Sequence, residues 1–360
     1  MISDSLQKAF MLLLRQGLWN RPEDCTVLFP LDGNEWNEIR DMAKKQTVQG
    51  IIYNGIRLLP ADYMPPRALL LSWTVEVDTL ERVNRQHRGI LKGLQQVYSQ
   101  PPSIPFLLLK GIGIADFYPF PGHRMAGDID LWFGNESQTE QANRRMEELG
   151  LPVKRGGNGE SSCLINGVLI EHHSRLIELH NPFLQKDIRQ WEAGIFADSQ
   201  GKLPVEANHL LLSTHILKHL INEGIGLRQL CDVAMTFHAL HAVTDKDELE
   251  RLCRKWHIYR WNQLLYALLV KYLGMPAGQL PFNTHVCPDK LMREVLESGN
   301  FGHGDERYGE RPAGKWANKR YTLKRIFHKM HLSLGYAFDE TFWWLAGLTF
   351  ARIKELARRT

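Results

Sequence analysis

The stretch Phe106 to Phe133, FLLLKGIGIADFYPFPGHRMAGDIDLWF, constrains this chain more than any other. It opens on an apolar run, Phe106 to Leu109, which predicts a buried strand. Lys110, Gly111 and Gly113 then predict a turn, because glycine accepts backbone shapes that other residues resist. A short helical segment and the Pro-rich loop YPFPGHR follow. In the second apolar run Ile129, Leu131 and Phe133 alternate with Asp128, Asp130 and Trp132. In a strand this period puts Asp128 and Asp130 on one face. Neighbouring carboxylates repel, and a site that keeps both ionised holds a cation between them. Hard oxygen ligands suit Mg²⁺, with Mn²⁺ as the substitute.

Strand, glycine turn, helix and a strand bearing Asp-x-Asp is the core order of the polymerase-β-like nucleotidyltransferases. LKG followed by YPFPGHR and GDIDL resembles the uncharacterised bacterial nucleotidyltransferase branch of that superfamily. The resemblance runs from about residue 106 to residue 237. It implies a metal-dependent transfer of a nucleoside monophosphate from an NTP to a hydroxyl acceptor, with Asp128 and Asp130 on the metal. Gly111 and Gly113 would let the backbone approach the phosphates, and Lys110 and Arg124 are the nearest side chains for phosphate contact. One departure stands out. The superfamily has Gly-Ser at the turn, and its Ser helps hold phosphate, whereas this chain has Gly111-Ile112.

The segment Leu176 to His180 reads as a strand, hairpinned near His173-Ser174 to another over residues 162–170. The superfamily carries a third carboxylate on a strand beside Asp-x-Asp, and Glu178 matches that position. Its role is to bind metal or to take the acceptor proton. Glu171 is the lower-ranked competitor, and an exposed strand glutamate is the bland alternative. Further on, HILKH places His215 and His219 four residues apart, on one helix face. It lacks the Glu of a metalloprotease motif. With the run LRQLCDVA it resembles the helical segment that follows the catalytic core in the same branch. That implies His215, His219 and Arg228 face the nucleotide phosphates. The competing reading is a buried His pair and a helical Arg228–Asp232 ion pair.

The rest of the chain frames this core. Its 360 residues are 44% hydrophobic and 23% charged, an ordinary globular balance, and a net charge of +4 predicts no strong nucleic-acid affinity. Five scattered cysteines without a C-x-x-C pair predict reduced thiols in a cytosolic protein. No basic leader and no long apolar run are present, so neither a signal peptide nor a membrane span is expected. Apolar stripes predict helices near residues 3–19, 36–43, 47–59 and 66–98, and again over 207–222, 227–240 and 246–273. The expected class is α+β. A small mixed-sheet core over 101–203 lies between an N-terminal helical region, 1–100, and a larger C-terminal one, 204–360. The basic, aromatic end, FWWLAGLTFARIKELARR, packs on the core or touches a membrane surface, nucleic acid or an acidic partner. Two other function classes compete with the transferase: a binding protein that keeps the fold without the chemistry, and a metal hydrolase using His172, His173, His180, His215 and His219. The acceptor can be a small molecule, RNA or protein.

Overall fold

The computed structural model describes residues 3–156, 159–199, 201–302, 305–309 and 312–357, with side chains of the last helix described to Thr349. Four helices come first: α1 (Asp4–Trp19), α2 (Gly33–Lys45), α3 (Gln49–Ile56) and α4 (Arg67–Ser99). Ser3 caps α1 by accepting from the Leu6 amide at 3.1 Å. Asp32 and Glu35 close a reciprocal capping box on α2, which satisfies amides the helix itself cannot. In α2 the expected stripe, Trp36, Ile39, Met42 and Ala43, is buried.

The sheet has five strands: β1 (Leu107–Leu108), β2 (Ile129–Trp132), β3 (Lys154–Arg155), β4 (Glu160–Ile165) and β5 (Val168–His173). Their order is β1-β2-β5-β4-β3. β2 and β5 run parallel and the other pairs antiparallel, so the sheet is mixed. The short helix α5 (Ile112–Ala115) links β1 to β2, and α6 (Glu136–Glu148) follows β2. One face of the sheet, with Ile129, Leu131, Cys163 and Ile170, packs on Leu94 and Tyr98 of α4 and on Ala142 and Met146 of α6. That apolar face fixes the strand register, because a slip of one residue would turn Asp130 into the apolar layer against α4 and α6.

The hairpin differs from the sequence expectation. Its turn is Asn166-Gly167, both at positive φ (50° and 80°), and its arms are β4 and β5. Residues 176–180 form no strand. Their apolar side chains Leu176, Ile177 and Leu179 are buried, as alternation suggested. Their backbone groups, however, bond side chains rather than a neighbouring strand. Glu192 accepts from the Leu176 and Ile177 amides at 2.8 and 2.7 Å, and Glu340 accepts from the His180 amide at 2.7 Å.

Among the described residues eight further α-helices follow: α7 (Gln185–Asp198), α8 (Val205–Asn222), α9 (Leu227–Leu240), α10 (Lys246–Lys255), α11 (Tyr259–Leu273), α12 (Asp289–Ser298), α13 (Lys315–Tyr336) and α14 (Phe338–Ala357). They share one hydrophobic core with α1 to α3. Trp19 donates to the Leu273 carbonyl at 2.5 Å, and Gln46 accepts from the Leu227 amide while donating to the Val295 carbonyl. Trp344 of α14 is buried and donates to Asn222, whereas Phe338 and Phe342 stay exposed. The basic side chains expected to meet an acidic partner, from Arg352 onward, lie outside the described residues. Among the described residues no helix is long and apolar enough to cross a membrane, and the cysteines are free.

Candidate active site

The site begins with strand register. In the parallel pair, Asp130 of β2 lies opposite Glu171 of β5, and Trp132 opposite His173. Period two then puts Asp130, Glu171 and His173 on one face and sends His172 to the other. Asp130 is 1% exposed. Its Oδ1 accepts from His173 Nε2 at 2.9 Å and lies 3.3 Å from Lys110 Nζ. Its Oδ2 is buried without a partner. Asp128, just before β2, is half-buried. Ligand atoms of Asp130, Glu171 and His173 all lie within 4.8 Å of one another. The Asp130 and Glu171 carboxylates, with one Asp130 oxygen buried and unpartnered, are hard oxygen donors that fit a divalent cation.

The charges are tightly linked. Burial opposes ionisation of Asp130, but Lys110 and the His173 hydrogen bond outweigh it and hold the carboxyl well below the usual range. Burial also opposes the charge on Lys110, and Asp130, Asp128 and Glu171 reverse that and hold it above an ordinary lysine. Glu171 is pushed up to about 7 by burial and by the neighbouring Asp130 and Asp128 charges.

Helices build the opposite wall. Leu212, His215, Ile216 and His219 occupy one face of α8 at the i, i+3, i+4, i+7 spacing and line a cavity of about 160 Å³. Lys110, Gly111, Arg124, Asp128, Glu171 and Arg228 line the same cavity, so the structure brings most of the expected site residues together. Gly111 has φ 60° and ψ −116°, a shape costly for a residue with a Cβ, and this turns the chain sharply after Lys110. Lys110 donates to His215 Nε2 at 3.3 Å. Burial, with Lys110 and His219 nearby, holds His215 well below an ordinary histidine, so it is neutral. Gly113 does not line the cavity. Its amide is already bonded to the Lys110 carbonyl at 3.1 Å.

The two arginines part company. Arg124 is 4% exposed and bound bidentately to Asp232, with both bonds 2.7 Å, and Tyr118 donates to the same carboxylate at 2.6 Å. It fastens the YPFPGHR loop to α9. Asp232 is therefore committed to Arg124 and not to the helical neighbour Arg228. Arg228 donates to the Met125 carbonyl at 3.3 Å, and its Nε is buried without a partner. Among the described residues no carboxylate lies within ion-pair distance of Arg228. Burial and the nearby Arg124 pull its pKa down. It is a cation in need of an anion.

Glu178 lies outside the Asp130–Glu171–His173 group but lines a neighbouring cavity with Lys110, Glu171 and His173. Its Oε2 is 2.5 Å from Lys218 Nζ, which also lies 3.3 Å from Glu160. Glu160, His173 and Glu178 form an adjoining group, with His173 common to both. The β5 position beside Asp130 belongs to Glu171, because the hairpin turns at Asn166-Gly167. The histidines do not converge either. His172 faces the other side of the sheet, bonded to Tyr98 and Asn143, and His180 binds Glu340. Ser161 donates to the same Asn143 oxygen, so this is a buried structural network.

A small mixed sheet flanked by helices, with an acidic face under a helical wall, is the α+β arrangement expected from the sequence. A family model, described as an uncharacterised nucleotidyltransferase, matches residues 32–274, more than half of the chain. The protein belongs to this nucleotidyltransferase family. No curated protein and no solved structure matches it.

Proposed function

We propose that the protein is a Mg²⁺-dependent nucleotidyltransferase that moves a nucleoside monophosphate from an NTP to a hydroxyl acceptor and releases pyrophosphate. The observation that carries this reading is buried Asp130, one oxygen unpartnered, paired on parallel strands with Glu171, which lines a cavity together with Asp128, Lys110 and Arg228. Asp128 and Asp130 would hold Mg²⁺, which when bound offsets phosphate charge and acidifies an attacking hydroxyl. His173 occupies one Asp130 oxygen and leaves the other free. Lys110 and Arg228 bind phosphate oxygens, and Arg228 breaks no ion pair to do so. The acceptor oxygen attacks the α-phosphorus, the bond to the β-phosphate breaks, and Glu171 takes the proton. Glu171, directly opposite Asp130 on the neighbouring strand, is placed for that task. His215 and His219 steady the same cavity, and Arg124 acts through the loop it anchors. The free cysteines support a reducing compartment, and we place the reaction in the cytosol.

One observation favours a second reading, a nucleotide-binding protein without turnover. Ile112, where the superfamily has Ser, is buried and gives the turn no hydroxyl. One experiment separates the two. Incubation with each labelled NTP, Mg²⁺ and a cell extract should label an acceptor and release pyrophosphate. A melting temperature raised by Mg²⁺ and ATP without transfer would favour the binding protein. Neither effect with any NTP would sink both.

A further inference from the structure

We propose that Phe301 is the platform on which the nucleobase of the NTP stacks, an assignment that rests on the nucleotidyltransferase reading above. Phe301 lies between α12 and α13, beyond the residues the family model matches. It nevertheless lines the same cavity as Asp128 and Arg228. Its ring is half-exposed, and its centroid is 4.6 Å from that of His219, at 60°.

The backbone there is bent for a purpose. Phe301 has φ 52° and ψ 26°, a left-handed shape that is an outlier for a bulky aromatic residue. Such strain persists only where its surroundings enforce it, and it gathers at binding sites. The enforcement is visible. The Gly302 amide bonds the Gly299 carbonyl at 3.2 Å. Asn300 accepts from Gln229 of α9 at 2.8 Å. Gly226 lets the turn come close, because a Cβ there would sit 3.0 Å from the Asn300 Cα. The turn is thus clamped on the start of α9 with its ring directed to the cavity.

The cavity lining is of two kinds. Lys110, Asp128 and Arg228 offer charge to a phosphate chain. Ile216, His219 and Phe301 offer apolar and aromatic surface to a flat ring. A nucleoside triphosphate needs both. Stacking recognises any base through its π face, so it predicts weak discrimination among the four NTPs, in favour of the larger purines.

The test compares Mg²⁺-dependent binding of ATP and of inorganic tripolyphosphate by calorimetry. Phe301→Ala should weaken ATP roughly 10-fold or more and leave tripolyphosphate unchanged. Phe301→Trp should keep ATP affinity. Should the Ala variant fail to fold, Phe301→Leu, which keeps bulk without a π face, carries the comparison. Unchanged ATP affinity overturns the proposal. So does an equal loss for both ligands, which would assign the ring to the shape of the turn. Wild-type protein that binds neither ligand sinks the nucleotidyltransferase reading and this proposal with it.

Discussion

Asp130 spends one carboxylate oxygen on His173 and Lys110 and keeps the other buried and unpartnered. Leaving such an atom unsatisfied costs about 1–3 kcal/mol, which a bound cation would recover. Asp130→Asn should therefore abolish the rise in melting temperature that Mg²⁺ with ATP produces, and a variant with the wild-type rise would contradict the ligand role. Glu171 and Glu178 separate by turnover. Glu171→Gln should slow nucleotide transfer roughly 10²-fold, in the range for losing an acid–base group, with Glu178→Gln changing it by less than about tenfold. The opposite order would return the role to Glu178. Asp232 tests a structural claim. Asp232→Asn strips the buried Arg124 of its counter-charge and should cost about 3–5 kcal/mol by urea unfolding. A loss below about 1 kcal/mol would mean the YPFPGHR loop is held by something else.

The elements were legible to very different degrees. α8 and α9 follow from helical periodicity and from the glycines at 224 and 226, and β2 from strict alternation around Asp130. Alternation alone does not locate the hairpin, because two apolar alternating runs, residues 168–173 and 176–180, lie three residues apart. Alternation reports burial and cannot report which backbone pairs with which. The signal that decides is Asn166-Gly167, a dipeptide that accepts positive φ twice and so closes a two-residue turn. Reading it first puts Glu171, not Glu178, on the strand beside Asp130. No periodicity in the sequence reveals that Glu192, on the next helix, takes the amides of residues 176 and 177, or that Glu340, 160 residues on, takes that of His180. Likewise Asp232 sits at ideal helical spacing from Arg228, yet the loop brings Arg124 to it. The turn can be tested alone. Gly167→Ala forces a Cβ into the left-handed region and should lower stability by about 1–2 kcal/mol, read as a lower urea midpoint. No change would mean that the turn tolerates a different shape.

Across the whole molecule, buried neutral histidines set its acid tolerance. Burial pushes His172 down to about 4 and His209 down to about 3. Because the folded state disfavours their protonation, their contribution is complete above about pH 6.5 and is lost as pH falls below it. For His172 the loss reaches roughly 3 kcal/mol by pH 4. Glu171, pushed up to about 7, works in the opposite sense over the same window, so the test is relative: from pH 6.5 to pH 5 the urea midpoint should lose more in the wild type than in His172→Gln. An unchanged slope would place the sensitivity elsewhere. The core shared by the two ends of the chain has another effect, on the order of events during synthesis. Trp19 and Leu273 are 254 residues apart, Gln46 and Val295 249, and Gln46 and Leu227 181. A ribosome adds roughly 5–20 residues per second, so α1 and α2 emerge about ten seconds or more before those partners exist. Through that interval α1, α2 and α3 can cover part of one another, since α1 packs closely on α3 at Gly17 and Gly55. The Trp19 and Gln46 side chains nevertheless wait for their native partners until the last third of the chain is being made.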